Sequence, residues 1–146
     1  MKILHVLALS GAIASFTGAA LADTSPTLYN RLGGYDALAA VTDDFIMRLA
    51  TDLQLGRFFV GHSTDSVHRI RQLVLDQLCA ATGGPCYYIG RDMKTAHAGM
   101  HISQADWDAA VKDLGATMAK FKVPAKEQGE VAAAIGSLKP QIVEAP

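Results

Sequence analysis

The stretch that decides the fold is TGGPCYYIGRDMKTAH, residues 82–97. The Gly-Gly-Pro motif at 83–85 ends a long preceding helix, because glycine accepts the backbone angles of a helix C-terminus and proline cannot continue a helix. Asp92 can then cap a short helix that carries His97. The long irregular connection differs from the short loops of an up-down helical bundle. Irregular chain beside a lone histidine predicts a pocket.

Hydrophobic residues recur at helical spacing on both sides of this stretch. The faces that they form are Leu38, Val41, Phe45 and Leu49; Val67, Ile70, Val74, Leu78 and Ala81; Trp107, Val111, Leu114, Met118 and Phe121; and Val131, Ile135, Leu138 and Ile142. Pro124 is expected in the first turn of the last helix. Nothing alternates with period two for long enough to form a strand. The sequence predicts an all-α domain with about six helices around one core.

Two shorter features complete the predicted path of the chain. Ser103 followed by Asp106 is close to a capping box at the start of a helix. Between the first two long helices, a compact hydrophobic corner without regular structure is expected. It comprises Leu53, Leu55, Phe58 and Phe59.

The first 22 residues are typical of a secretory signal peptide, with Lys2, an apolar run over residues 3–9 and small residues ending at Ala22. Polar residues and glycines interrupt the apolar stretch and no stop-transfer pattern follows, so a permanent membrane anchor is the alternative that we disfavour. Cleavage before Asp23 leaves residues 23–146, which is the size of one domain. We therefore expect one exported domain, in the periplasm of a Gram-negative bacterium or secreted.

The charge balance excludes some classes of partner. The chain has 13 basic and 14 acidic residues, a formal net charge of −1, and removal of Lys2 with the signal peptide changes −1 to −2. Such a balance provides no electrostatic footprint for nucleic acid or for an anionic membrane surface. The expected partner is neutral or small.

Both cysteines, Cys79 and Cys86, remain after processing, and a glycine-proline turn separates them. In an oxidising compartment this spacing favours a disulfide bond. The alternatives are a pair of buried free thiols or a metal site. A metal site is weakly indicated because the chain has no tight Cys-x-x-Cys pair.

Seven motifs follow one another over nearly all of the mature chain: LYNRLGG at 28–34, Asp44-Phe45, Phe58-Phe59, TGGP at 82–85, YIGRDMK at 88–94, Ala96-His97 and Val123-Pro124. Their order and spacing resemble the truncated haemoglobins of the first group. The resemblance implies a two-over-two helical globin fold that holds a b-type haem. The absence of a Cys-x-x-Cys-His motif independently favours noncovalent haem.

By the same resemblance, His97 is the proximal ligand of the haem iron, Phe59 packs on the haem face and Phe45 lies near it. Neutral imidazole is the common proximal ligand of globins, and its second nitrogen needs an acceptor. The carbonyl of Met93, one turn back, is the candidate acceptor. From the residues alone, His97 can also be a half-buried histidine with an ordinary structural role. His101 has no counterpart in the family pattern, and we interpret it as a residue of the surface or the pocket rim.

The distal side departs from the family pattern. A tyrosine that donates to bound oxygen commonly follows the phenylalanine of the first long helix, and here that residue is Ile46. Counting back from the Gly-Gly pair places Ile70, Val74 and Leu78 over the haem, where the family often has glutamine at one or both of the first two. The pocket is therefore predicted to be apolar. A missing donor worth about 1.5–3 kcal/mol makes oxygen release faster by about one to two orders of magnitude.

The register of this second long helix has an alternative. The connection before it is about three residues longer than the family pattern, so the helix can be rotated and bring His68 or Gln72 to the iron. A His68 ligand would give a six-coordinate haem suited to electron transfer or sensing. The candidate partners of the haem propionates are Arg71, Arg91 and Lys94, which are near the site in sequence.

Three functions are compatible with these residues. The first is reversible binding of O2, CO or NO at a five-coordinate haem, with a reductase whose identity the sequence does not reveal. The second is a haem enzyme acting on NO, nitrite or peroxide, although no acid/base residue of the kind a peroxidase needs is evident. The third is a helical interaction module without a cofactor, for which the sequence offers no unusual exposed apolar stripe.

Overall fold

The computed structural model describes residues 25–144, so the predicted signal peptide and its cleavage site lie outside the described residues. Within this range the chain forms helices and turns, as the hydrophobic pattern predicts. The α-helices are α1 Leu28–Arg31, α2 Gly34–Thr51, α3 Thr64–Ala81, α4 Met93–His97, α5 Gln104–Lys120, α6 Ala125–Gly136 and α7 Lys139–Ile142, with a 3₁₀ helix at Gly56–Phe59 between α2 and α3.

The long helices pack as two pairs. α2 packs against α3, α5 packs against α6, and α2 also contacts α5, which gives the two-over-two arrangement. Each pair has its own buried cluster. These are Leu38, Leu75 and Cys79 between α2 and α3, and Leu114, Met118 and Val131 between α5 and α6. Full burial of such a side chain contributes about 1.5–3 kcal/mol, so the clusters fix how the helices face one another. No helix among residues 25–144 is long and apolar enough to cross a membrane.

Side-chain caps mark where three helices begin, and the caps of α4 and α5 are those that the sequence predicts. The Ser63 hydroxyl accepts from the amide of Ser66 at the start of α3, and Asp92 accepts from the amide of Thr95 at the start of α4. Ser103 and Asp106 form the full capping box of α5. These side chains satisfy amides that have no partner within the helix, which defines where each helix begins.

The end of α3 depends on two glycines. Gly83 has a φ of 82°, a left-handed conformation that glycine adopts without strain. A Cβ atom at Gly84 would lie 2.6 Å from the Sγ atom of Cys79, so no larger residue fits there. The chain can therefore turn back sharply at the end of α3. The segment that follows, which leads to α4, stays close to that end of the helix.

Some sequence expectations were wrong in detail. The single last helix predicted through Ile142 is broken after Gly136, because Pro140 has no N–H to donate to the carbonyl of Gly136 and its ring would clash with it. The corner at residues 56–59 is a regular 3₁₀ turn. Leu53, expected in that corner, is fully exposed, and Ala81, expected on the buried face of α3, is exposed as well.

A buried carboxylate connects the two helix pairs. Asp44 of α2 is 5% exposed and accepts hydrogen bonds from Thr117 at 2.9 Å, Arg48 at 2.7 Å and Lys120. The hydrogen bonds from Lys120 and Arg48 lower the pKa of Asp44 well below its ordinary value of 3.8, more than burial raises it. Lys120 and Thr117 belong to α5, so this network holds α2 and α5 together.

Candidate functional site

A cavity of about 490 Å³ lies between the two helix pairs. Its volume is within the range of cofactor and small-molecule sites, and nearly all of its wall is apolar. The structure brings all eight residues of the predicted site into this wall: Phe45, Ile46, Phe59, Ile70, Val74, Leu78, Met93 and His97. The eight residues therefore line one continuous cavity, and they come from α2, α3, α4 and the corner.

His97 is half-buried at the last turn of α4. Its Nδ1 atom lies 2.8 Å from the carbonyl oxygen of Met93, which confirms the predicted acceptor. A carbonyl can only accept, so Nδ1 carries a proton, and in the neutral ring the lone pair is therefore on Nε2. The imidazole thus presents a free nitrogen donor in a fixed tautomer, which is the form that binds a metal.

Helix α4 has only five residues and no buried side chain, so it cannot be stable alone. The segment before it is connected to α3 by the disulfide bond Cys79–Cys86, in which the two Cα atoms are 5.7 Å apart. In the same segment the Tyr88 hydroxyl donates to the carbonyl of Arg91 at 2.6 Å. Burial is the main cause of a raised pKa at Tyr88, so the hydroxyl remains a donor at neutral pH. The disulfide and the hydrogen bond of Tyr88 therefore stabilise the segment before α4, whereas a longer helix would be stabilised by its own buried side chains.

The opposite wall of the cavity is formed by α2 and α3. Ile46 is 5% exposed and occupies the position at which the family commonly has a tyrosine. On α3, Leu73 and Gln77 face the cavity together with the three predicted residues. Gln77 was missed, although it is seven positions after Ile70 and therefore on the same helix face. Its carboxamide is a polar group in an otherwise apolar part of the wall.

The alternative register of α3 is not the one observed. His68 is exposed and lies outside the cavity wall. Gln72 also lies outside it, and its amide donates to the Tyr35 hydroxyl at 3.1 Å and to Asp76 at 2.9 Å. The histidine that does line the cavity besides His97 is the exposed His62, which precedes α3 and which sequence reasoning did not select.

The corner that carries the two phenylalanines is held by the buried carboxylate of Asp106, whose side chain is 1% exposed. It accepts from Gln54 at 2.8 Å, from Arg57 at 2.8 Å and from the Ser103 hydroxyl at 2.7 Å. Burial raises the pKa of Asp106, but these hydrogen bonds outweigh it and lower the pKa well below 3.8. The capping pattern identified the contact with Ser103, whereas the contacts with Gln54 and Arg57 depend on tertiary structure.

The basic residues near the site differ in position. Arg91 lines the cavity and is exposed. Arg71 was named as a candidate propionate partner, but its guanidinium donates to Asp43 at 2.6 Å and 3.1 Å and lies outside the cavity wall. Lys94 is exposed and also outside the wall. His101 is exposed, as expected.

These features fit a haem. The apolar wall suits a large planar ring, Phe45 and Phe59 provide aromatic contacts, and His97 provides an unprotonated nitrogen donor. Arg91 places a cation beside the cavity for an acidic side chain of the ring. A two-over-two helical fold with one such imidazole in an apolar cavity defines a class of protein, the globins.

Comparison with known proteins gives the family. Residues 27–144 match the family model of the bacterial-like globins, and the chain belongs to this family. It is 40% identical to a group 1 truncated haemoglobin of Nostoc commune over 68% of this chain and 82% of the relative. It is 32% identical to one from Mycolicibacterium paratuberculosis over 80% of this chain and 83% of the relative. Membership of the truncated globin family implies haem-based binding of gas molecules.

Solved structures agree with this assignment. The crystal structure of the truncated haemoglobin from Tetrahymena pyriformis in its Fe(III) form superposes with a TM-score of 0.76 at 28% identity, covering 82% of this chain and all of that one. A 2/2 haemoglobin from a Synechococcus species superposes with a TM-score of 0.74 at 24% identity, over 81% of this chain and 98% of that one. At 24% identity, the second structure shows a similarity of fold alone.

Proposed function

We propose that this globin binds O2, CO and NO reversibly at a five-coordinate b-type haem held by His97. The observation that carries the proposal is the hydrogen bond from His97 Nδ1 to the carbonyl of Met93, which leaves Nε2 free on the cavity side of the helix. Held by His97, a haem would supply a ferrous iron that can bind a gas molecule. The hydrogen bond to the Met93 carbonyl also makes the imidazole a stronger ligand.

The other residues of the wall orient the ring and exclude water. Phe45, Phe59 and Met93 supply apolar and aromatic contacts that favour its burial, at about 25 cal/mol for each Å² of apolar surface removed from water. Arg91 neutralises an acidic substituent near the solvent. Noncovalent attachment is proposed because the chain has no Cys-x-x-Cys-His motif.

The apolar distal wall supports the proposal that the protein favours oxygen only weakly relative to carbon monoxide. Ile46, Ile70 and Val74 have no group that donates a hydrogen bond, whereas bound oxygen gains more from a donor than carbon monoxide does. Gln77 is the exception, and it lies two turns along α3 from Ile70. We therefore expect fast oxygen release, and a role in prompt exchange or sensing of gas is favoured over storage.

Absorption spectra of the ferric, ferrous and carbonyl forms test the proposal. The purified protein, expressed with ample haem, should show a Soret band and a five-coordinate ferrous spectrum. His97→Gly should lose that spectrum, and added imidazole should restore it, because the small ligand fills the vacated place. His68→Ala is the control, since His68 is exposed and lies outside the cavity wall. An unchanged spectrum in His97→Gly would contradict the assigned ligand.

A six-coordinate redox or sensor globin is a second candidate, and His62 is the observation that favours it. His62 lines the same cavity as His97. It follows the corner at residues 56–59 and is exposed. Two imidazoles can coordinate one haem iron. Ferric spectra that are low-spin in the wild type and high-spin in His62→Ala would support this candidate, and identical high-spin spectra would exclude it.

We also propose that the protein functions in the periplasm or is secreted. Residues 1–22 support this by their signal-peptide pattern, and the Cys79–Cys86 disulfide supports it because such bonds persist in oxidising compartments. Cell fractionation followed by N-terminal sequencing should yield a periplasmic or secreted chain that begins at Asp23. A cytoplasmic chain with an intact Met1 end would contradict it.

A further inference from the structure

The turn after α4 has an uncommon backbone. It connects His97 to α5, and within it Gly99 has a φ of 79° and His101 a φ of 53°. Glycine adopts such angles freely, but for a histidine they are costly and persist only where neighbouring contacts impose them. The neighbouring residues Met100 and Ile102 both line the cavity. The shape of this turn therefore affects the wall of the site on the His97 side.

The contacts that impose this shape come from the far end of the chain. One carboxylate oxygen of Glu144 accepts from the amide of Gly99 at 2.6 Å, and the other accepts from the amide of His101 at 2.8 Å. The amide of Glu144 donates to the carbonyl of Ile102 at 3.0 Å. In addition, the His101 imidazole Nδ1 lies 3.8 Å from the same carboxylate. We refer to these contacts as the Glu144 clamp.

The clamp is well placed to act on His97. Hydrogen bonds to a carboxylate are about twice as strong as those between neutral groups. The five-residue α4 has no buried residue of its own, but it contacts α7, which immediately precedes the clamp. The amide of Met100 donates back to the carbonyl of His97 at 3.1 Å, so the clamped turn begins on the ligand residue itself.

We infer that Glu144 is a positioning residue for the proximal histidine, acting through the backbone of residues 99–101. The carboxylate holds both unusual φ angles, and this fixes the end of α4 and the direction in which the His97 imidazole enters the cavity. The inference rests on the proposed function, in which His97 binds the haem iron. It gives His101 a role as well, since its backbone amide is one of the two that Glu144 binds.

The test compares Glu144→Ala, Glu144→Gln and Gln141→Ala in the haem-loaded protein. Glutamine keeps the size of the side chain but has one acceptor oxygen, so one of the two hydrogen bonds is lost. Gln141 is exposed on the neighbouring helix α7 and is the control. The iron–histidine stretching band of the ferrous form, measured by resonance Raman, reports the strain and orientation of the proximal ligand, and a general loss of stability does not move it.

The alanine variant should shift or broaden this band and change the CO association rate at least about threefold, glutamine should be intermediate, and the control should match the wild type. A wild-type band that is unchanged in Glu144→Ala would overturn the inference while leaving the proposed function intact. If the wild type bound no haem, the proposed function would fail. Amide hydrogen exchange at Gly99 and His101 would then test whether Glu144 holds the backbone of this turn. Exchange at least tenfold faster in Glu144→Ala supports it, and unchanged exchange overturns it.

Discussion

The two walls of the cavity are stabilised in opposite ways. The distal wall is built on α3, an 18-residue amphipathic helix with a serine cap and fully buried residues such as Leu75 and Cys79. The proximal wall is built on α4, which has five residues and none that is buried. Comparing them shows that the proposed iron ligand lies on the less self-sufficient of the two wall helices, so its position depends on contacts made by other parts of the chain.

Those contacts come from three directions. The disulfide connects the segment before α4 to the end of α3, Asp92 caps its first turn, and Glu144 binds the turn that follows it. Asp92 and Glu144 act only on backbone geometry, whereas the disulfide also joins the segment before α4 to Cys79 in the buried cluster between α2 and α3. The distal wall, by contrast, depends mainly on apolar burial against α2. The walls should therefore respond differently to the loss of a core side chain and to the loss of a cross-link.

The largest effect is expected from Leu75→Ala. Leu75 is completely buried between α3 and α2, and truncation there should lower the free energy of unfolding by about 2–5 kcal/mol through lost burial and the cavity left behind. Urea denaturation measures this. Leu53→Ala is the matched control because Leu53 is fully exposed, and it should change stability by less than about 0.5 kcal/mol. Equal effects at the two positions would show that α3 is not held by its core face.

The second effect concerns the cross-link of the proximal segment. Replacing Cys79 and Cys86 together by alanine should lower the free energy of unfolding by about 2–3 kcal/mol, since the disulfide closes a short loop. Amide hydrogen exchange in α4 should accelerate more than exchange in α3. The wild type in dithiothreitol is the control and should approach the variant. Equal acceleration in both helices would contradict the difference between the walls.

The same contrast explains what the sequence could reveal. The distal helix follows from the periodicity of its apolar residues and from the Gly-Gly-Pro motif at its end, because local signals and burial agree there. The eight predicted site residues follow from motif spacing, and all of them line the cavity. Gln77 was also accessible from its spacing to Ile70, but its polarity led to its omission from the apolar face.

The remaining features depend on contacts between residues far apart in the chain. The clamp joins Glu144 to residues about 45 positions earlier, and the buried Asp106 accepts from Arg57 across 49 positions. A charged residue near the end of a chain normally indicates a solvated surface, so no local pattern marks Glu144 as a partner of the proximal turn. The break at Gly136 was readable from Pro140, but the apolar spacing through Ile142 favoured a continuous helix.

The third prediction adds a hydrogen-bond donor to the distal wall at the position of Ile46. Ile46→Tyr places a hydroxyl at a buried position of the cavity, and oxygen release should slow by about 10–100-fold because one donor is worth about 1.5–3 kcal/mol. Stopped-flow measurement of oxygen and CO release tests this, and CO release should change much less. Ile46→Phe is the control, with a similar ring but no hydroxyl. If phenylalanine slowed oxygen release as much as tyrosine, size rather than hydrogen bonding would be the cause.

The smallest effect under ordinary conditions is expected from pH, and it should appear first at the corner of residues 56–59, which Asp106 holds. The pKa values of Asp44 and Asp106 are lowered by their hydrogen-bonding partners, so below about pH 5 the unfolded chain binds more protons than the folded one. Stability should be flat from pH 7 to pH 5 and fall progressively as the pH drops towards these lowered values.

Trp107, the single tryptophan, is buried and follows Asp106 in the chain. Its fluorescence therefore reports changes in the packing of the corner at residues 56–59. Acid titration should change this signal before the secondary structure is lost, because the corner depends on one ionised carboxylate whereas α3 depends on apolar burial. Asp106→Asn is the control: it should be less stable at pH 7 and should respond less to acid. A variant with the same acid response as the wild type would show that Asp106 is not the group whose protonation releases the corner, and the acid sensitivity would then be assigned to Asp44 and the contact between α2 and α5.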